Sequence, residues 1–338
     1  MILTTLLEIE HPIIQAPMAG VTTPEFVSAS VEAGILGSIG AGYLSAEETR
    51  QFIRKVKERT DKPFAVNLFV PEQVEMDQLN LREAYEALQP IGKQLGIPFW
   101  KALLSESQFD RQVQVVVEEG VKICSFTFGL PDAKTVRLLK ENGVYLIGTA
   151  TTVEEAKLAE QVGMDAVVAQ GSEAGGHRGS FTGELTLISL NELLEDISTT
   201  VNIPVIAAGG IANKERMASV LAAGAQAVQI GTALLAADES GAHSVYKQAI
   251  LAADEGSTAV TKVFSGKAAR GIRNQFMLDM KDAVVAPYPY QNDLTKEIRK
   301  AAAQQGKSGY MSLWAGESVH LTTKGTVKDI LAKFHNPL

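Results

Sequence analysis

Eight short apolar runs, each followed by a polar or glycine-rich turn and then an amphipathic segment, fill residues 11–232 and constrain the fold more than any other feature. The runs lie at 12–16, 36–40, 63–69, 121–126, 144–148, 165–169, 203–208 and 227–232. Runs of this length read as strands buried on both faces, and the helical segments between them require parallel crossovers. The helix starts carry their own signals. Thr22-Thr23-Pro24-Glu25, Ser45-Ala46-Glu47-Glu48 and Thr152-Val153-Glu154-Glu155 each place a capping side chain before acids in the first turn.

Eight strand-then-helix units in one series predict an α/β fold, a closed (β/α)8 (TIM) barrel, rather than an open sheet. An open dinucleotide-binding sheet would carry Gly-x-Gly-x-x-Gly after its first strand, where this chain has Ala16-Pro17-Met18-Ala19-Gly20. The rhythm breaks once, at about 71–110, a polar and helix-prone stretch containing Pro90, Pro98 and Trp100. It reads as an insertion after the third strand that helps cover the top of the barrel. The expected division is therefore 1–232 for the barrel with its insertion, and 233–338 for a helical extension that packs over the site without being independent. Within the extension, helices are expected at 243–253, 295–305 and 327–335, with a loop at Ala286-Pro287-Tyr288-Pro289-Tyr290.

The net charge of −8 argues against nucleic acid or an anionic membrane surface as a partner. Cys124 is the sole cysteine, so neither a disulfide nor a cysteine-cluster metal site is expected, and no metal is assigned. Glu8 and Glu10 come too early for a signal peptide and no apolar run suits a membrane span, which predicts a soluble cytoplasmic protein.

In a barrel, functional side chains sit at the C-terminal ends of the strands. The turns Ala208-Gly209-Gly210-Ile211-Ala212 and Gln229-Ile230-Gly231-Thr232 follow the seventh and eighth strands, where backbone amides frequently bind phosphate. Asn67 and Gln170 end the third and sixth strands, and an amide both donates and accepts, as the edge of a heterocyclic ring requires. Lys122 lies in an otherwise apolar strand. It joins the candidate ligand-binding residues because a lysine inside a barrel needs an anion, its other position being the strand's solvated start. His177, in Gly171-Ser172-Glu173-Ala174-Gly175-Gly176-His177-Arg178-Gly179, is the candidate catalytic residue, with Glu173 and Arg178 expected to pair and hold the loop. Ser265-Gly266-Lys267 resembles a phosphate turn but lacks the strand-and-loop spacing of a nucleotide triphosphate site.

These motifs in this order, with Gln15 to Gly20 and the Ser312-Leu313-Trp314-Ala315-Gly316 segment, resemble the nitronate monooxygenases, formerly 2-nitropropane dioxygenases. The FMN-dependent enoyl-[acyl-carrier-protein] reductases share the loop and the phosphate turns; Arg178, Phe126-Thr127-Phe128-Gly129-Leu130-Pro131 and the Trp314 segment favour the nitronate branch. One departure is Thr127, where some members carry histidine. The resemblance implies FMN as cofactor, held by Asn67, Gln170, Gly175, Gly210 and 229–232, with Pro17, Met18 and Ala19 along the ring and His177 as catalytic residue. It implies oxidation of alkyl nitronates, propionate 3-nitronate among them, with O2 to a carbonyl compound and nitrite. The alternatives are an NAD(P)H-dependent reductase of enoyl thioesters or quinones, and a flavin carrier without turnover. Small-molecule partners and a monomer or homodimer are expected.

Overall fold

The apolar runs become strands because each is buried between the barrel interior and the helical layer. A computed structural model describes residues 3–72, 74, 77–97, 99–100 and 106–335. In chain order the strands are β1 (Ile13–Gln15), β2 (Ser38–Gly40), β3 (Ala65–Phe69), β4 (Ile123–Thr127), β5 (Tyr145–Ala150), β6 (Ala166–Gln170), β7 (Gly176–His177), β8 (Val205–Ala208), β9 (Ala227–Ile230), β10 (Thr258–Thr261) and β11 (Ala269–Ile272). Eight of them form one parallel sheet in the order β1-β9-β8-β6-β5-β4-β3-β2. The sheet closes where Ile14 bridges Leu36, with Gln15 N donating to Leu36 O at 2.8 Å and Leu36 N to Ile13 O at 3.0 Å. This is the expected (β/α)8 barrel.

Two apolar layers hold it. Ile14, Ala65, Ile123, Ile147, Val168, Ile206 and Ala227 fill the interior, and Leu3 and Leu7 of the short helix Leu3–Leu7 join the same cluster. The alternate residues of the same strands, among them Ile13, Val66, Cys124, Leu146, Val167 and Val228, pack outward on the helices. The caps form as their sequences require: Ser45 and Glu48 make a reciprocal capping box, and Thr23 accepts from Phe26 N ahead of a helix opened by Pro24. Among the described residues no helix is long and apolar enough to cross a membrane.

The insertion forms the helix Gln78–Gln94, with Pro90 inside it, and packs on the extension's helix Tyr290–Gln304. Trp100 is central to this contact: its Nε1 donates to Leu294 O at 2.8 Å, and a Cβ at Gly92 would lie 2.4 Å from its ring. No described residue of the insertion lines the cavity discussed below, so its apolar face serves the extension instead. Pro98 lies outside the described residues.

The extension differs from its expectation in two places. Thr258-Ala259-Val260-Thr261 is rich in β-branched residues and forms β10, which pairs antiparallel with β11; β11 pairs in turn with β7, placing Ala269 opposite His177 and Arg270 opposite Gly176. The last long helix begins at Tyr290, inside the stretch expected as loop, because Pro289 occupies its N-cap, where no backbone N–H is needed. The helices Ser244–Leu251 and Val327–His335 fall where periodicity predicts them.

Candidate active site

A cavity lies at the C-terminal ends of the barrel strands. It is lined by Pro17, Met18, Ala19, Asn67, Gln170, Gly175, His177, Gly209, Gly210, Gln229, Ile230, Gly231 and Thr232, so residues from five barrel strand ends meet at one place. Lys122 is the exception. It precedes β4 at the opposite end of the barrel, is exposed, and does not line the cavity. The expectation that it contacts the cofactor is corrected: a lysine at a strand's solvated start keeps its charge hydrated and needs no buried anion.

Asn67 is buried, and its Nδ2 donates to Ser125 Oγ at 2.9 Å and Thr127 Oγ1 at 3.1 Å. The parallel register explains the meeting, since Asn67 stands beside Ser125 and Phe69 beside Thr127. With Thr149 on β5 these side chains make a hydroxyl and amide row along one wall. On the opposite wall Gly209 and Gly210 have φ of +127° and +66°, conformations that favour glycine, ahead of the helix Lys214–Ala222. The C-terminal segment closes over this turn. Ser318 Oγ donates to Gly210 O at 3.0 Å, and Gly316 N donates to Thr232 Oγ1 at 2.9 Å. Gly175 is glycine for a related reason: a Cβ there would lie 2.4 Å from Gly316 N.

His177 sits at the side of the cavity in an aromatic enclosure. Its ring centroid is 5.3 Å from that of Trp314, 5.6 Å from Phe128 and 6.4 Å from Tyr288. Phe128 holds φ +72°, an uncommon conformation for a bulky residue, and the Lys267 ammonium lies 4.8 Å above its ring. Lys267 is also ion-paired with Glu72. His177 Nε2 lies 2.8 Å from Ser265 Oγ. That hydroxyl donates to Lys267 O at 3.0 Å and accepts from Lys267 N at 3.3 Å. A hydroxyl has one proton; with it on Lys267 O, His177 donates from Nε2–H and Nδ1 is the basic nitrogen. Burial pushes the His177 pKa down to about 3, and the positive charges of Arg299 and Lys267 add to the shift. At neutral pH the imidazole is uncharged.

The loop is held differently from the expected Glu173–Arg178 pair. Glu173 accepts from Leu190 N and lies 3.9 Å from Arg216, whereas Arg178 is fully buried and forks onto Gly171 O and Gln170 O. Each anchors the loop separately, because backbone groups at the end of β6 and the start of helix Leu190–Thr200 are nearer partners. Burial lowers the Arg178 pKa to about 10, which leaves the guanidinium charged at neutral pH. Gln170 also works on the loop backbone, donating to His177 O at 3.0 Å and accepting from Gly179 N at 2.8 Å.

Sequence reasoning missed Ser125, Thr149 and Ser318, and named Ser265 and Gly316 within motifs without giving them a role at the site. Ser125 and Thr127 alternate with the outward Cys124 and Phe126, a period-two signal that could have marked them as inward-facing. Ser265 lay in the turn set aside as a failed phosphate motif. Ser318 had no local signal, since it reaches Gly210 across 108 residues.

A model of the nitronate monooxygenase family matches residues 1–336. A probable nitronate monooxygenase of Staphylococcus saprophyticus is 46% identical over 329 residues, which cover 94% of this chain and 92% of that one. Among solved structures, nitroalkane oxidase from Streptomyces ansochromogenes superposes with a TM-score of 0.93 at 37% identity, covering 98% of this chain and 96% of that chain. FabK from Thermotoga maritima superposes with a TM-score of 0.77 at 34% identity, covering 98% and 94%. With the barrel, the glycine turns and His177 in one cavity, and a family match along almost the whole length, this chain is an oxidoreductase that belongs to the nitronate monooxygenase family.

Proposed function

We propose that the chain oxidises alkyl nitronates such as propionate 3-nitronate with O2, using FMN, to a carbonyl compound and nitrite. The observation that carries this reading is His177: a neutral imidazole with Nε2 2.8 Å from Ser265 Oγ, enclosed by three aromatic rings, in the positive field of Arg299 and Lys267. A nitronate is an anion. Such a field attracts it, and an enclosed site strengthens every charge interaction made there.

The residues fit an FMN in kind. The side-chain-free turn at Gly209 and Gly210, at a helix start and beside Ser318, suits a phosphate. Asn67, Ser125 and Thr127 offer donors and acceptors for the edge of the ring, and Pro17 to Ala19 supply an apolar surface along it. A bound flavin would supply the electron transfer between nitronate and O2. His177, neutral at pH 7, would take the α-proton at Nδ1 when a neutral nitroalkane enters. Phe128, Tyr288 and Trp314 would keep water from the reacting carbon.

The likeness to FabK keeps a second reading in view, an NAD(P)H-dependent reduction of an enoyl thioester or quinone. Oxygen uptake separates the two. Consumption of O2 with propionate 3-nitronate in the absence of NADH is expected, and His177→Asn should retain FMN while nitroalkane turnover falls at least ~100-fold. Rapid bleaching of the flavin by NADH and none by nitronate would overturn the reading.

A further inference from the structure

Two buried, oppositely charged side chains stand behind His177. Arg178 and Glu155 are each 0% exposed. Glu155 is the third residue of helix Val153–Val162, just beyond β5. One of its oxygens accepts from Thr151 N at 2.7 Å and Thr151 Oγ1 at 2.8 Å. The other accepts from Phe181 N at 2.6 Å, Thr182 N at 3.0 Å and Thr182 Oγ1 at 3.2 Å. The carboxylate thus ties the chain leaving the His177 loop to the top of β5.

Arg178 and Gln170 form a reciprocal clamp. The Gln170 side chain holds the backbone on either side of Arg178, at His177 O and Gly179 N. The Arg178 side chain holds the backbone at the end of β6, through Gln170 O and Gly171 O. Arg178 N also donates to Ala268 O at 2.8 Å, next to the β7–β11 pairing. Gly179 lets this segment lie directly on β5, since a Cβ there would approach Thr149 Cγ2 to 2.6 Å.

The arrangement is expensive. Arg178 Nε is buried without a hydrogen-bond partner, and an unsatisfied buried donor costs roughly 1–3 kcal/mol. A neutral staple would avoid that. The segment it holds consists of a two-residue strand at whose end His177 must meet both Ser265 and the cavity. Such a short pairing does not fix a ring position unaided, and a misplacement on the order of 1 Å can cost ~100-fold in rate.

We infer that Glu155 and Arg178 are positioning residues for His177: together they pin the 177–182 segment to the tops of β5 and β6 so that the ring keeps its contact with Ser265. This rests on the catalytic assignment of His177 above, but its structural test does not need a nitronate.

The variants are Arg178→Lys, which keeps a cation and loses the two-carbonyl fork, and Glu155→Gln, which keeps the shape and loses one acceptor. In each, the ring nitrogens of His177 are followed by NMR in histidine-labelled protein between pH 5 and 8, with His177→Asn identifying the signal. The groups that set its titration are Lys267 with its partner Glu72, Arg299 beside Asp293, Ser265 and Tyr288. In the parent the signal is expected to stay that of the Nε2–H neutral tautomer throughout. In either folded variant it should become a tautomer mixture and titrate at higher pH. Turnover with a neutral nitroalkane should fall about 10–100-fold while KM changes less than about threefold. Rescue of the parent signal in neither variant is expected on adding FMN. Folded variants whose His177 nitrogens match the parent would overturn the inference, whatever the turnover assay shows. So would loss of folding in both, which would make the pair a staple of the barrel as a whole. If the NMR changes appear and no nitronate is oxidised by the parent, the positioning role stands and the substrate reading fails.

Discussion

Replacing His177 with Asn makes the neutrality of this ring measurable as stability. An unfolded histidine takes up its proton near pH 6.5, whereas burial and the Arg299 and Lys267 charges delay uptake in the folded chain to about 3. Between these values the unfolded state binds more protons, so stability must fall as the medium is acidified. The contribution of the neutral ring is fully present above pH 6.5 and is lost progressively from there toward pH 3. From pH 7.5 to pH 5 the proton-binding factor of the unfolded ring rises from about 1.1 to about 33, while that of the folded ring stays near 1, which amounts to about 2 kcal/mol. Urea unfolding followed by far-UV circular dichroism, at equal ionic strength, should therefore show the parent losing about 2 kcal/mol more than His177→Asn over this interval. The difference between two pH values removes any general effect of the substitution. Equal losses in the two proteins would refute the uncharged state of the half-buried His177.

Other outcomes follow from individual contacts. Lys122→Ala should leave FMN affinity within about twofold and stability within about 0.5 kcal/mol, because the side chain is exposed at the far end of the barrel; flavin fluorescence titration checks this. Ser265→Ala leaves Nε2–H of His177 without its acceptor, a loss of about 1–2 kcal/mol that should appear as a roughly 5–30-fold lower kcat at unchanged FMN content, read by oxygen uptake.

Much of the site was legible because it follows from local chemistry. A strand buried on both faces must be apolar throughout, so the eight runs stand out, and the residues ending them are marked without reference to packing. Asn67, His177 and the Gly209-Gly210 and Gly231-Thr232 turns occupy strand ends, and all of them line one cavity. The errors share a cause as well. Lys122 reads as part of an apolar run and so as a candidate ligand contact, yet it precedes the first residue of β4, since periodicity does not say at which residue a strand enters the core. Glu173 and Arg178 were paired on charge and proximity in sequence, yet backbone carbonyls and amides lay closer.

By itself the sequence determined the barrel, its capped helices, the rim on which function sits and the single histidine set among glycines. All of these rest on propensity and on hydrophobic periods of 2 and 3.6 residues, which act over short stretches. Only the tertiary structure decided what surrounds that histidine. Ser265 reaches it across 88 residues, Ser318 reaches Gly210 across 108, and Glu155 meets the loop through backbone amides at Phe181 and Thr182 that any residues could supply. Contacts of that kind depend on how β11 and the C-terminal segment fold back on the barrel, and hydrogen bonds to backbone leave no mark in the identity of the partner residue.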